Sequence, residues 1–155
     1  MGYMKGGFVI ESKAAWDDYI TNGVSEFNNN LVHAVAEPYF TDSATARLFA
    51  KGNYGPNPLS SAETKAMRED AALGLKEKAE ANGCITYTSP DAIMLESPFY
   101  STSPNFLPKA GSPALSGASF AGMNSYFTAT TYRGAMGDKD WTAGWTNWDP
   151  QNASY

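Results

Sequence analysis

The segment from Ser60 to Gly83 constrains the fold most, because both the start and the end of a helix can be recognised in it. Ser60 and Glu63 have the spacing of a capping box, in which each side chain accepts a hydrogen bond from the other residue's backbone N–H. Asn82-Gly83 is typical of a helix end, since glycine readily adopts the left-handed conformation needed there. The sequence therefore predicts a helix over about residues 61–82.

The apolar residues of this predicted helix do not group into one obvious stripe. Ala62, Ala66 and Leu73 share one side, whereas Met67 and Leu75 point in other directions. A helix without a continuous apolar stripe has little to bury against a core. We therefore expect this helix to lie on the surface of the protein.

The rest of the chain is predicted to form short elements separated by turns. A second helix is expected between the N-cap Ser12 and the stop signal Asn22-Gly23. Residues 28–30 are all asparagine, a residue that is rare in ordinary strands but suits stacked coils, where side-chain amides bond to the copy above and below. The predicted strands are 6–10, 24–35, 84–88, 92–95 and 125–132.

Composition favours β structure and excludes some partners. Charged residues make up only 17% of the chain, and Gly, Ser, Thr, Asn and Pro take their place, which favours turns and strands. The formal net charge is −5, and no cluster of Lys and Arg occurs. Nucleic acids and anionic membrane surfaces are therefore not expected as partners, because both require a basic patch.

Cysteine content and hydropathy limit the cellular context. Cys84 is the only cysteine, so neither an internal disulfide nor a cysteine-based metal site can form, and we expect a small buried side chain. The first residues lack the apolar run of a signal peptide, and no later stretch could span a bilayer. Membrane insertion is not expected, and if the protein is exported, its export signal lies upstream of this chain or has been removed.

The C-terminal third of the chain carries a family resemblance. Residues 104–117 contain Gly111-Ser112-Pro113-Ala114, and this segment is similar to the exit from the last coils of bacterial right-handed parallel β-helix proteins of the pectin-lyase-like type. The continuation resembles the tail of secreted or cell-surface members that are largely uncharacterised. The matching residues are Tyr126-Phe127, Tyr132-Arg133-Gly134-Ala135-Met136-Gly137, Trp141 and Gly144-Trp145-Thr146, with a weaker match at 27–32.

The resemblance covers about residues 99–148 and implies a fold. It implies a single, mainly β domain over 1–155: the terminal part of a right-handed parallel β-helix carrying one surface α-helix. Residues 1–96 would form coils and strands, and residues 97–155 would wrap and cap the last coil. The alternative is a compact α+β domain with two helices packed on a short sheet. The aromatic seal over the last coil would consist of Phe106, Leu107, Phe120, Phe127, Tyr132, Trp141 and Trp145.

The resemblance also implies a location and a kind of function. It implies an extracellular or cell-surface location and a non-catalytic structural or adhesin-like module. A remnant of a polysaccharide lyase or hydrolase is an alternative, but such enzymes carry their catalytic residues on middle coils that this chain lacks. His33 is the only histidine, and it lies among apolar residues that favour packing over catalysis.

Three of the four tryptophans lie within eight positions, in the segment WTAGWTNW. They either belong to the aromatic seal or form a surface on which sugar rings stack, since exposed aromatic patches often mark binding sites. The carbohydrate hypothesis assigns binding of a polysaccharide to Trp141, Trp145 and Trp148, assisted by Tyr132 and Asp149.

No cofactor is expected apart from a calcium ion. Asp138 and Asp140, at positions i and i+2 in GDKDW, could contribute oxygen ligands to calcium together with loop carbonyls. The complete EF-hand spacing is missing, so a solvated turn is the alternative.

The chain is also expected to self-associate. If residues 1–35 form a first coil with nothing stacked on it, its open edge invites pairing with a second chain. We therefore expect dimers or larger species.

Overall fold

The computed structural model describes residues 6–34 and 36–153. The chain divides into two compact units: unit 1 extends to Thr86 and unit 2 begins at Tyr87. Nearly all regular secondary structure belongs to unit 1, whereas unit 2 consists mostly of turns.

Unit 1 alternates short strands with helices. Its strands are β1 (Phe8–Ile10), β2 (Leu31–Val32), β3 (Tyr39–Thr41) and β4 (Ile85–Thr86). Its helices are α1 (Lys13–Trp16), which continues into a π-helical turn at Asp17–Thr21, α2 (Ser43–Phe49) and α3 (Ser61–Ala81). β1 pairs with β3 and β2 pairs with β4, both in parallel.

The prediction of a mainly β, parallel β-helix fold is wrong. Each sheet in the described part of the chain has only two strands, and the longest element is the 21-residue helix α3. A β-helix needs strands of successive coils stacked into continuous sheets. Here the chain between paired strands forms helices instead, and the described residues contain three α-helices rather than the single surface helix that was expected.

The asparagine run does not form a β-helix rung. Asn29 has a φ of 57° and its N–H donates to the carbonyl of Asn82 at 3.0 Å. The N–H of Asn30 donates to Sγ of Cys84 at 3.3 Å. The run therefore forms a bend against the C-terminal end of α3, and of the predicted strand 24–35 only Leu31–Val32 is a strand; position 35 lies outside the described residues.

The strand pairing of unit 1 also contradicts the argument that an unstacked first coil would cause self-association. Residues 8–10 and 31–32 are paired with β3 and β4 rather than forming an isolated first coil. Self-association itself remains a prediction.

The capping box of α3 is confirmed. Oγ of Ser60 accepts a hydrogen bond from the N–H of Glu63 at 3.2 Å, and the Glu63 carboxylate accepts one from the N–H of Ser60 at 2.9 Å. These bonds satisfy two of the N–H groups that a helix start leaves without intrahelical partners.

The predicted surface position of α3 is wrong. Met67, Ala71, Leu75 and Ala79 are all buried, and their spacing of four residues places them on one face. This stripe was missed because two of its members are alanines, whose small side chains add little to a hydrophobic pattern. The face contributes to the core of unit 1, together with Ile10, Trp16, Tyr19, Val32, Tyr39, Ala46 and Cys84.

Substitution by alanine is expected to have opposite effects on stability at two glycines of unit 1, Gly74 and Gly83. A Cβ at Gly74, inside α3, would lie 3.6 Å from the Trp16 indole, which is ordinary van der Waals contact. Gly74→Ala should therefore raise the free energy of unfolding by about 0.5–1 kcal/mol, because alanine is the better helix former. At Gly83, φ is +81° and a Cβ would collide with Oδ1 of Asn29.

Gly83→Ala should accordingly lower the free energy of unfolding by about 1–2 kcal/mol, because the left-handed conformation is unfavourable for a residue with a Cβ. Urea denaturation followed by circular dichroism measures both changes. Destabilisation by Gly74→Ala would mean that Trp16 packs more tightly on α3 than the structure shows.

The described residues of unit 2 form one antiparallel strand pair and two 3₁₀ turns. Strand β5 (Leu95–Ser97) pairs with β6 (Asn105–Pro108), and the 3₁₀ turns cover Pro90–Ile93 and Pro113–Leu115. The predicted strand at 125–132 is absent: these residues form turns and irregular chain. The strand predicted at 92–95 is displaced, since a 3₁₀ turn occupies its first half.

Candidate functional site

Exposed aromatic side chains are concentrated in unit 2. Trp16, the one tryptophan of unit 1, is buried and stacked on Phe49 with ring centroids 4.4 Å apart. In unit 2, by contrast, Trp145 is 68% exposed and Trp141 is 52% exposed. The other large exposed aromatic residues of unit 2 are Phe99, Tyr100, Tyr126, Phe127 and Trp148.

A short turn anchored by Asp140 positions the first two tryptophans of WTAGWTNW. The Asp140 carboxylate accepts hydrogen bonds from the backbone N–H of Thr142, at 2.9 Å, and from its hydroxyl. Thr142 is buried, and its carbonyl accepts the N–H of Thr146 at 3.2 Å. The buried threonine thus fixes the turn, while Trp141 and Trp145 project from it towards solvent.

Trp141 and Trp145 form a stacked pair. Their ring centroids are 5.7 Å apart and their planes differ by 24°, within the range of favourable offset stacking. Nε1 of Trp145 also donates a hydrogen bond to the carbonyl of Trp141, which orients the second indole. One face of each ring is therefore directed at the other ring, and the remaining indole surface is open.

The expectation that these tryptophans belong to a buried aromatic seal is wrong. Trp141, Trp145 and Phe127 are exposed, and the other members of the predicted seal are only partly buried. Burial depends on long-range packing, which the local sequence pattern does not determine.

The other predicted carbohydrate-binding residues have separate local contacts. Trp148 packs against Phe106 with centroids 5.7 Å apart and planes tilted by 59°. The Asp149 carboxylate accepts hydrogen bonds from Nδ2 of Asn152 at 2.9 and 3.0 Å. The Tyr132 ring lies against Gly137, where a Cβ would come within 2.6 Å of it.

The two aspartates proposed as calcium ligands differ in their surroundings. Asp138 is exposed, whereas Asp140 is engaged by Thr142, whose hydroxyl and N–H hold the pKa of that carboxyl below its usual value. Within residues 6–34 and 36–153, no three His, Cys, Asp or Glu side chains are grouped so that they could hold a metal ion. Calcium binding at these positions remains a prediction.

The buried titratable groups of unit 1 belong to its core. Burial, reinforced by Cys84 and Tyr39, raises the pKa of Tyr19 to about 12. Cys84 is buried, as predicted, and its thiol donates to the carbonyl of Phe27 at 3.3 Å. His33 follows β2 and is partly buried. Tyr19 and Cys84 lie among packed apolar side chains, which suits a structural role.

One group of residues that lines a cavity was not identified from the sequence. Asp91, Glu96, Phe99, Tyr100 and Lys109 line a cavity beside the β5–β6 pair. The available signal was the aromatic pair Phe99-Tyr100 inside the turn-forming run SPFYSTSP, because aromatic residues in such a run have little opportunity to enter a core.

Within the described residues, no helix is both long and apolar enough to cross a membrane. Comparisons with protein-family models, with curated proteins and with solved structures found no match to this chain. The resemblance of its C-terminal region to β-helix proteins therefore remains a prediction.

Proposed function

We propose that unit 2 is a non-catalytic carbohydrate-binding module of an extracellular or cell-surface protein, and that Trp141 and Trp145 form its binding surface. The observation that carries this proposal is the exposure of the stacked indole pair on a turn held by Asp140 and Thr142. Large apolar rings in water are unfavourable unless a ligand or partner covers them, so exposed aromatic clusters often mark binding sites.

Sugar rings fit this surface chemically. One face of a pyranose presents mainly C–H groups, and these groups carry partial positive charge that is attracted to the negative face of an aromatic ring. If a sugar covers on the order of 100 Å² of indole surface, the transfer from water contributes roughly 2–3 kcal/mol. Hydrogen bonds from the sugar hydroxyls must add to this, so we expect dissociation constants in the high-micromolar to millimolar range.

Charge restricts the class of carbohydrate. Unit 2 has five acidic side chains, Asp91, Glu96, Asp138, Asp140 and Asp149, against three basic ones, Lys109, Arg133 and Lys139. Two of the acidic residues, Asp138 and Asp140, lie three positions and one position before Trp141, with Lys139 between them. We therefore propose neutral polysaccharides as ligands, because polymers of uronic acids would be repelled.

Isothermal titration calorimetry with soluble glucan, xylan, mannan and polygalacturonate tests the proposal. We expect saturable binding to at least one neutral polymer and at least tenfold weaker binding by Trp145→Ala and by Trp141→Ala. Tyr126→Ala is the matched control, because Tyr126 is a highly exposed aromatic residue of the same unit outside the tryptophan turn.

Either of two results would overturn the assignment. The first is no binding to any polymer of the panel. The second is binding that Trp141→Ala and Trp145→Ala leave at full strength, which would locate the carbohydrate site elsewhere.

A further inference from the structure

The cavity beside the β5–β6 pair is half open to solvent and has the size of a site for one small ring. Its volume is about 260 Å³. Sites for drug-sized ligands usually measure roughly 300–1,000 Å³, so this cavity suits a single monosaccharide rather than a larger molecule. All of its lining residues belong to unit 2.

The backbone around the cavity is held by specific contacts. Met94, which ends the 3₁₀ turn Pro90–Ile93, adopts the left-handed conformation with φ of 59°, unusual for a residue other than glycine. Its carbonyl accepts the N–H of Lys109 at 2.8 Å, and the carbonyl of Ile93 accepts the buried Ser112 hydroxyl at 2.6 Å. These bonds keep Asp91, on the turn, and Lys109, after β6, beside the same cavity.

Three charged side chains of the lining are available to a ligand. The side chains of Asp91, Glu96 and Lys109 form no ion pair or hydrogen bond with any residue that the structure describes. The backbone N–H of Asp91 is engaged by Oγ of Ser89, which leaves its carboxylate free. The carboxylates are acceptors for hydroxyl groups, and the ammonium group is a donor to hydroxyl or ring oxygens. A neutral polyol can use both kinds of group at once.

Two aromatic rings complete the lining. Phe99 and Tyr100 lie in the connection between β5 and β6, and both are exposed. The N–H of Tyr100 donates to the carbonyl of Ser97, and the carbonyl of Tyr100 accepts the N–H of Ser103, which fixes the turn that carries the rings. An aromatic face beside hydrogen-bonding groups is the combination that sugar recognition requires, since a pyranose has an apolar face and a polar edge.

We propose that this cavity is a second carbohydrate subsite, which binds one neutral pyranose through Asp91, Glu96 and Lys109 and stacks it on Phe99 or Tyr100. Two carboxylates against one ammonium disfavour uronic and sulfated sugars. The site does not depend on the tryptophan pair, because no residue is shared between the two.

Two-dimensional ¹⁵N–¹H NMR of the full chain, titrated with methyl glycosides of glucose, galactose and mannose, tests this site. We expect saturable shifts of the amide signals of residues around Asp91, Glu96 and Tyr100. Asp91→Asn and Tyr100→Ala should each weaken this binding at least tenfold. Asp138→Asn, which alters an exposed carboxylate outside the cavity lining, should leave it unchanged.

The variants separate the two sites. Trp145→Ala should abolish shifts at the tryptophan turn and leave the cavity shifts intact, so failure of one site is distinguishable from failure of the other. The spectrum of each variant also reports whether it is folded. The proposal is overturned if no glycoside shifts the cavity signals, or if Asp91→Asn and Tyr100→Ala bind the glycosides as tightly as the unaltered chain.

Discussion

Leu75→Ala should lower the free energy of unfolding of unit 1 by about 2–5 kcal/mol, the range for removing a large aliphatic side chain from a packed core. Leu75 is 0% exposed and lies in the middle of the buried stripe of α3. Truncation removes apolar surface from the core and leaves a cavity that the surrounding core side chains can fill only in part.

Leu73→Ala is the matched control, since it makes the same chemical change on the same helix. Leu73 is 45% exposed, so its truncation should change the free energy of unfolding by less than about 0.5 kcal/mol. Urea denaturation followed by circular dichroism measures both variants. Equal effects at the two positions would contradict the orientation of α3.

Arg68→Ala should lower the free energy of unfolding by about 2–3 kcal/mol. Nη2 of Arg68 donates to both carboxylate oxygens of Glu37, at 2.9 and 2.7 Å, and Nε donates to the carbonyl of Thr41 at 3.2 Å. The guanidinium also lies over the Phe40 ring, 4.4 Å from its centroid. Because the side chains of Arg68 and Glu37 are only 24% and 28% exposed, truncation leaves a partly desolvated carboxylate without its partner.

Lys65→Ala is the control for Arg68→Ala. It breaks the exposed i,i+4 pair between Lys65 and Glu69 on the same helix, and such a pair contributes about 0.3–0.5 kcal/mol. The effect of Arg68→Ala should persist in 1 M salt, where the exposed pair is screened. A loss no larger than that of Lys65→Ala would mean that the Arg68 contacts do not tie β3 to α3.

Local sequence signals predicted the parts of the fold that are determined locally. The capping box at Ser60 and Glu63 was recognised because two residue types at a fixed spacing are enough to form it. Ser12 was likewise correctly placed as an N-cap, since its hydroxyl accepts from the N–H of Ala15. The π-helical turn that follows α1 left no comparable signal.

The parts determined by distant contacts were not predicted. Asn28–Asn30 suggested a β-helix rung, but the bend there depends on Asn82 and Cys84, more than fifty positions away along the chain. The exposure of Trp141 and Trp145 likewise depends on whether other elements cover them. The sequence identified these tryptophans as candidates, and only the structure distinguishes a stacked, exposed pair from a buried seal.

The most direct test of the carbohydrate proposal is to follow the four tryptophan indole N–H signals by NMR while a neutral polysaccharide is added. Binding at the stacked pair should shift or broaden the signals of Trp141 and Trp145 in a saturable way and leave that of the buried Trp16 unchanged. If the four signals stay at their positions up to the highest concentration of every polymer in the panel, the indole pair does not bind carbohydrate and the proposed function is wrong.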